Sequence, residues 1–248
     1  MTSSPERPFT AVLFDLDGTI SDSAPGILES LTYTFQQVGV PVPDHETLLS
    51  FVGPPILDTF RIAMGMDDEL TERTLSVYRE HYLSHGALDS LMYPGIDVVL
   101  HTLHEAGVPI STATSKPETP ATYILEHYGL TGDIDVITGA SDDEVRSAKA
   151  DVVEEALRRL RARGFDVSRP VLVGDRLHDV EGAAAHGVPT VFAEWGYGSP
   201  AEAVGTIATA ATPLDLLPIL LPGSEAPGSD AAGSGAAGTS AADLAGRA

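Results

Sequence analysis

The sequence predicts an α/β protein: a parallel sheet with helices on both faces, interrupted after its first strand by a helical insertion. Three observations carry this. Residues 10–14 (T-A-V-L-F) form a short apolar run that ends in acid and glycine, the pattern of a buried strand feeding a loop. Residues 22–92 then hold to a helical period. From Tyr93 onward helix and strand signals alternate, as they do where helices cover both faces of a parallel sheet.

Within the insertion, Ile27, Leu28, Leu31, Phe35 and Val38 share one helical face, with Pro25 near its start and Gly39 at its stop. Leu75, Tyr78 and Tyr82 make a second stripe. Beyond it, residues 96–106 read as a helix closed by Gly107, followed by the apolar stretch 108–113. Ile124, Leu125 and Tyr128 mark a helical face ended by Gly129, and residues 135–138 form a candidate strand. Val152, Val153, Ala156, Leu157 and Leu160 lie along a longer helix. Residues 171–173 read as a strand, 180–186 as a short helix before Gly187, and 190–193 as the last strand. The expected organisation is a flexible start (1–8), an α/β core (9–21 and 93–222), a helical cap (22–92) and an Ala/Gly/Ser-rich disordered tail (223–248).

The composition excludes several functions. There is no cysteine, which removes disulfide scaffolds, thiolate metal sites and Cys nucleophiles. A net charge of −22 repels nucleic-acid backbones, so no nucleic-acid polymer is expected as partner. The same charge repels small anions, so a phosphate site here requires local positive charge. No apolar run approaches the ~20 residues of a membrane span, and residues 1–8 lack the order of a secretory signal. A cytoplasmic protein without membrane contact, monomeric or weakly dimeric, is the expectation.

In open parallel sheets ligands bind at the carboxyl ends of strands, and four such segments hold unusual residues. Asp15-Leu16-Asp17-Gly18-Thr19 follows the first strand; its two carboxylates can enter one site, although Asp-Gly is also an ordinary turn pair. Thr114-Ser115-Lys116-Pro117 follows the second. Its hydroxyls suit either a phosphate oxygen or a helix N-cap. Lys149 opens a helix, where a cation opposes the dipole unless it meets an anion. Asp175 and Asp179, in Gly174-Asp175-Arg176-Leu177-His178-Asp179, are spaced to face one direction at a helix start, a placement the dipole favours by itself. Arg158, Arg159, Arg161 and Arg163 read as a solvated helix terminus. So many acids at one sheet edge repel each other unless a hard cation sits among them, and Mg²⁺ is the oxygen-seeking choice.

As a set, D-L-D-G-T, the strand-end Thr, the helix-start Lys and G-D-x-x-x-D resemble the haloacid dehalogenase superfamily of phosphohydrolases over residues 9–220. V-L-F-D-L-D-G-T-I-S-D-S, F-V-G-P-P, A-T-S-K-P and V-G-D-R-x-H-D-V are similar to its phosphoglycolate phosphatase-like and 5′-nucleotidase-like branch. The resemblance implies a Rossmann-like core with an inserted helical cap and a Mg²⁺-dependent phosphatase acting on a small phosphorylated metabolite or nucleotide. It implies Asp15 as nucleophile and metal ligand, and Asp17 as acid and base with its carbonyl toward the metal. Thr114 and Ser115 would hold the phosphoryl, Lys149 would neutralise charge, and Asp175 and Asp179 would lie at the Mg²⁺. In the cap, Phe51, Val52, Gly53, Pro54, Arg61 and Arg73 are candidates for choosing the substrate, with residues 196–199 as a rim loop. A phosphomutase, a dehalogenase and a non-catalytic phospho-ligand sensor are the alternatives on the same scaffold.

Overall fold

A computed structural model describes residues 7–143 and 145–223. The expectations for residues 1–6 and 224–248 fall outside the described residues. In chain order the core begins with β1 (Ala11–Phe14) and leaves through β2 (Ser21–Asp22). The inserted helices are α1 (Ala24–Val38), α2 (His45–Ser50), α3 (Ile56–Asp58) and α4 (Asp68–His81); α3 and α4 each run on into a π-helical turn, Thr59–Ala63 and Tyr82–Gly86. The chain returns through β3 (Leu91–Met92), which pairs antiparallel with β2. Then come α5 (Ile96–Glu105), β4 (Ile110–Thr112), β5 (Thr114–Pro117), α6 (Glu118–His127), β6 (Gly139–Ala140) and α7 (Lys149–Ala162). The last elements are β7 (Pro170–Gly174), α8 (Leu177–Ala184), β8 (Thr190–Ala193), β9 (Ala208–Ala210) and α9 (Leu216–Leu220).

Five parallel strands form the main sheet in the order β4-β1-β7-β8-β9. Side chains alternate faces along a strand, and the core divides accordingly. Val12, Phe14, Ile110, Val171 and Val173 pack with α5 and α9 on one face. Ala11, Leu13 and Leu172 pack with Val152, Val153, Ala156 and Leu160 of α7 on the other. The sheet is therefore buried on both sides, which explains the near-continuous apolar strands. The chain runs from β1 to β4 on one side and later to β7 on the other, so the carboxyl end of β1 is the crevice where such sheets bind ligands.

The inserted helices form a cap joined to the core by the β2/β3 pair. Inside it, α1 meets the Tyr82–Gly86 turn backbone to backbone. A Cβ on Gly26 would lie 2.0 Å from the Gly86 carbonyl oxygen, and one on Gly86 would lie 2.4 Å from Ser30 Oγ. Phe35, Phe60, Tyr78 and Tyr82 pack in sequence as ring contacts through the cap interior.

Three expectations need correction. Residues 108–113 are not one strand: β4 stops at Thr112, and Thr114 opens the separate strand β5, paired with β6. Residues 135–138 do not form a strand; Val136 alone bridges Ser111. Side chains interrupt the backbone ladder there: Ile110 N–H donates to Asp135 Oδ2 (2.9 Å) and Thr138 N–H to Thr112 Oγ1 (2.8 Å), beside backbone bonds such as Thr112 N–H to the Val136 carbonyl (3.0 Å). Finally, β8 is not the last strand. The short edge strand Ala208–Ala210 follows, and Ala-Thr-Ala lacks the apolar run that would announce it. Among the described residues no helix is long and apolar enough to cross a membrane.

Candidate active site

β1 hands the chain directly to Asp15, whose N–H donates to the Val173 carbonyl of β7 (2.9 Å). The turn that follows depends on Gly18. Its φ is +84°, and a Cβ there would lie 2.3 Å from Asp175 Oδ2, so both backbone freedom and close approach require glycine. Asp175, at the end of β7, is held by Thr19 Oγ1 donating to Oδ1 (3.2 Å) and Tyr197 N–H donating to Oδ2 (2.7 Å). The expected rim loop thus takes part directly: the Tyr197 phenol also donates to Asp22 Oδ1 (2.8 Å) and accepts from Ala24 N–H (2.9 Å), at the entry to the cap.

Lys149 is buried, not a solvated first-turn residue. Its Nζ lies 2.9 Å from Asp15 Oδ1 and 2.6 Å from Asp179 Oδ1, and donates to the Ala113 carbonyl (2.8 Å). Asp179 has two duties. Its Oδ2 accepts from Arg176 N–H (2.9 Å) as a helix cap, while Oδ1 faces the lysine. The N-cap alternative for Thr114 and Ser115 is removed, because α6 starts at Glu118. Thr114 Oγ1 accepts from Lys116 N–H (3.2 Å), and Ser115 Oγ is buried with no partner among the described residues.

The electrostatics follow from burial. Asp15 is pushed up to about 7 by burial, against Lys149, with Asp179 and Asp17 adding to the rise. Burial also lifts Asp175 well above the carboxylate range, reinforced by Asp179 and Asp15. Asp179 feels the same burial, yet Lys149 and His178 bring it below its ordinary value. Lys149 is itself raised: burial opposes its charge, and Asp15 and Asp179 overcome it.

Two buried carboxylates, Asp15 and Asp179, therefore share one lysine, Asp175 is buried beside them, and Asp15 and Asp175 sit far from their preferred ionised state. Asp17 Oδ1 has no hydrogen-bond partner among the described residues. A hard divalent cation relieves such a cluster, so the residues fit one. Among the described residues, Asp15, His178 and Asp179 bring potential ligand atoms within 4.8 Å of one another. His178 was not singled out from sequence. Burial pushes it down to about 4, which leaves a neutral imidazole with Nε2 unpartnered among the described residues.

A cavity of about 300 Å³ opens beside this cluster, between cap and core. Asp17, Ser115 and Lys116 line its inner end, and Phe51, Gly53 and Pro54 contribute as expected. Val52 instead offers its carbonyl to Arg176 Nη1 (2.7 Å), tying cap to core. Arg61 and Arg73 do not line the cavity: both are exposed, Arg61 facing Asp68 at 3.5 Å. Lys116 is the second residue missed in sequence. Its Nζ lies 3.0 Å from Asp17 Oδ2, donates to Tyr82 Oη (2.8 Å) and sits 4.5 Å from the Tyr82 ring centre. Burial and Asp17 raise the Tyr82 phenol well above its ordinary value, so it stays a neutral hydrogen-bonding group.

Comparison with known proteins agrees with this architecture. The chain is 44% identical over 196 residues to the tyrosine-protein kinase PtkA of Mycobacterium tuberculosis, covering 79% of this chain and 66% of that one. It thus spans just under two thirds of PtkA. It is 31% identical over 191 residues to a 5′-nucleotidase of Pseudomonas aeruginosa, covering 77% and 85% of the two chains. A solved hydrolase of the haloacid dehalogenase-like family from Streptococcus pneumoniae superposes with a TM-score of 0.76 at 29% identity, over 86% of this chain and 98% of that one. Residues 12–193 match the family described as haloacid dehalogenase-like hydrolase, and with its capped parallel sheet the chain belongs to that family.

Proposed function

We propose that the chain hydrolyses a small phosphate monoester, phosphoglycolate or a nucleoside 5′-monophosphate, through a phospho-aspartate on Asp15. The observation that carries this is Lys149, buried between Asp15 and Asp179, with Asp17 at the inner end of a ligand-sized cavity. Asp15 attacks phosphorus while the ester bond breaks, and Asp17 gives its proton to the leaving oxygen. Asp17 then takes a proton from water, whose oxygen displaces Asp15 and releases inorganic phosphate. Thr114 and Ser115 hold phosphoryl oxygens, and Lys149 offsets the charge that gathers between Asp15 and the phosphoryl. Mg²⁺ is the proposed cation, held by Asp15, the Asp17 carbonyl and Asp175, with Asp179 beside it; it would add further neutralisation of the phosphoryl oxygens. The proposed boundaries are a core of residues 9–21 and 93–222 and a cap of 22–92.

A second reading follows from the likeness to PtkA: transfer of the phosphoryl to a tyrosine instead of water. One experiment separates the two. The protein is incubated with Mg²⁺ and either a panel of monoesters or ATP, and both free phosphate and phosphotyrosine are measured. Phosphate release from monoesters that is lost in Asp15→Asn supports hydrolysis. Unchanged turnover in Asp15→Asn sinks the mechanism, and phosphotyrosine without monoester hydrolysis selects the transfer reading.

A further inference from the structure

The cavity lies on one side of Asp17 only. Asp17 lines it, whereas Asp15, Asp175, Asp179 and Lys149 do not. A phosphoryl held at Asp15 with its ester oxygen toward Asp17 therefore leaves the rest of the substrate in this space. At about 300 Å³ it reaches the size of pockets that bury whole small molecules, equal to the room taken by about ten waters. A two-carbon hydroxyacid would leave most of it wet.

Its walls are apolar: Ile27, Phe51, Ile56, Tyr78 and Leu83 from the cap and Pro120 from the core. The charged lining holds two acids, Asp17 and Asp142, and two cations, Lys116 and Arg79. Lys116 is taken by Asp17 and Tyr82. At the outer end, Asp142 accepts from Thr119 N–H (3.1 Å) and Oγ1 (2.8 Å), and Arg79 Nη2 donates to the Asp142 carbonyl (3.2 Å). A carboxylate on the leaving group would enter largely apolar walls whose two cations, Lys116 and Arg79, are already matched in number by Asp17 and Asp142, which is costly. A ring meets aromatic and proline side chains, whose faces and edges suit it.

Resting on the phosphatase proposal, we infer that the leaving group is an uncharged alcohol bearing a flat ring, lodged in this cavity, and that Leu83 and its neighbours select it over glycolate. The same chemistry is offered by a nucleoside and by an arylmethyl alcohol.

The test compares kcat/KM for uridine 5′-monophosphate, benzyl phosphate, ribose 5-phosphate and 2-phosphoglycolate, all esters of alkyl alcohols. The ring-bearing esters should exceed the other two by roughly tenfold or more, the discrimination an apolar pocket supplies. A uridine preference over benzyl assigns the nucleoside, and the reverse assigns the aryl alcohol. Leu83 is 45% exposed, so Leu83→Arg should fold normally. It should cut turnover of the ring esters about tenfold and raise that of 2-phosphoglycolate. Hydrolysis of all four esters at similar rates, unchanged by Leu83→Arg, overturns the inference and leaves the phosphatase proposal standing. If no ester is hydrolysed, that proposal falls, and saturation-transfer NMR with uridine and benzyl alcohol decides the cavity alone. Transfer to ring protons that Leu83→Arg abolishes upholds the ring site; no transfer overturns it.

Discussion

On one side of the Asp15–Asp17 turn the protein solves a problem of charge, and on the other a problem of shape. The carboxylate cluster is buried and polar, with Lys149 offsetting only part of its charge and every member nearly inaccessible. The cavity is open, apolar on most of its walls and lined by both cap and core. On the proposed reading, the chemistry of phosphoryl transfer stays constant while the adjoining space determines what is accepted. Substitutions on the charged side should act on every substrate alike, and those on the apolar side should change the ranking of substrates.

The largest effect is expected from Lys149→Met, which leaves Asp15 and Asp179 buried without their cation. Turnover should fall by roughly 100- to 1,000-fold for all esters. Breaking such a pair costs about 3–5 kcal/mol, which would appear as a lowered melting temperature. Equal loss across substrates sharpens the contrast; loss confined to one ester breaks it.

Next is the response to cation and pH. With Asp15 lifted from 3.8 to about 7, the folded protein retains a proton that the unfolded chain releases. Its contribution to stability is therefore complete below pH about 4 and lost as pH rises through about 7. Without cation the melting temperature should decline over that interval. Mg²⁺ should raise it more at pH 8 than at pH 5, and Asp15→Asn should shrink the difference. Equal cation stabilisation at both pH values would contradict the relief of charge inferred for the cluster.

A smaller change is expected for Tyr82→Phe, which removes the oxygen that Lys116 donates to. One net hydrogen bond is worth about 1 kcal/mol, so a few-fold change in kcat/KM is expected, uneven between ring-bearing and small esters. The smallest belongs to Arg158→Ala. Arg158 and Arg159 both pair with Glu155 on the surface of α7, far from either region. Thermal melting and kinetics should both match the parent protein.

Much of the core was legible because its signals are local. The helix at Lys149–Ala162 and the strands at Pro170–Gly174 and Thr190–Ala193 lie close to where apolar periodicity and glycine stops put them. The segments bearing Asp15, Thr114, Lys149 and Asp175 do stand at one edge of the sheet system. What escaped depends on distance through space. Lys116 follows two hydroxyls that account for its segment equally well, and nothing local announces Asp17 as its partner. His178 sits within a run of charges where a surface role reads as naturally. Arg61 and Arg73 failed for the opposite reason: a cation on a cap helix suggests anion binding, but their position around the helix turns them to solvent.

The close seam between Gly26 and Gly86 has its own consequence. Because Gly26 and Gly86 bring two stretches of main chain together there, with Ser30 Oγ and Tyr82 against them, the cap should flex little internally and travel as one piece on its paired ribbons. Admission and selection then become separable traits. Changes in the ribbons alter how quickly a molecule gets in, whereas changes along the seam deform the mould that receives it.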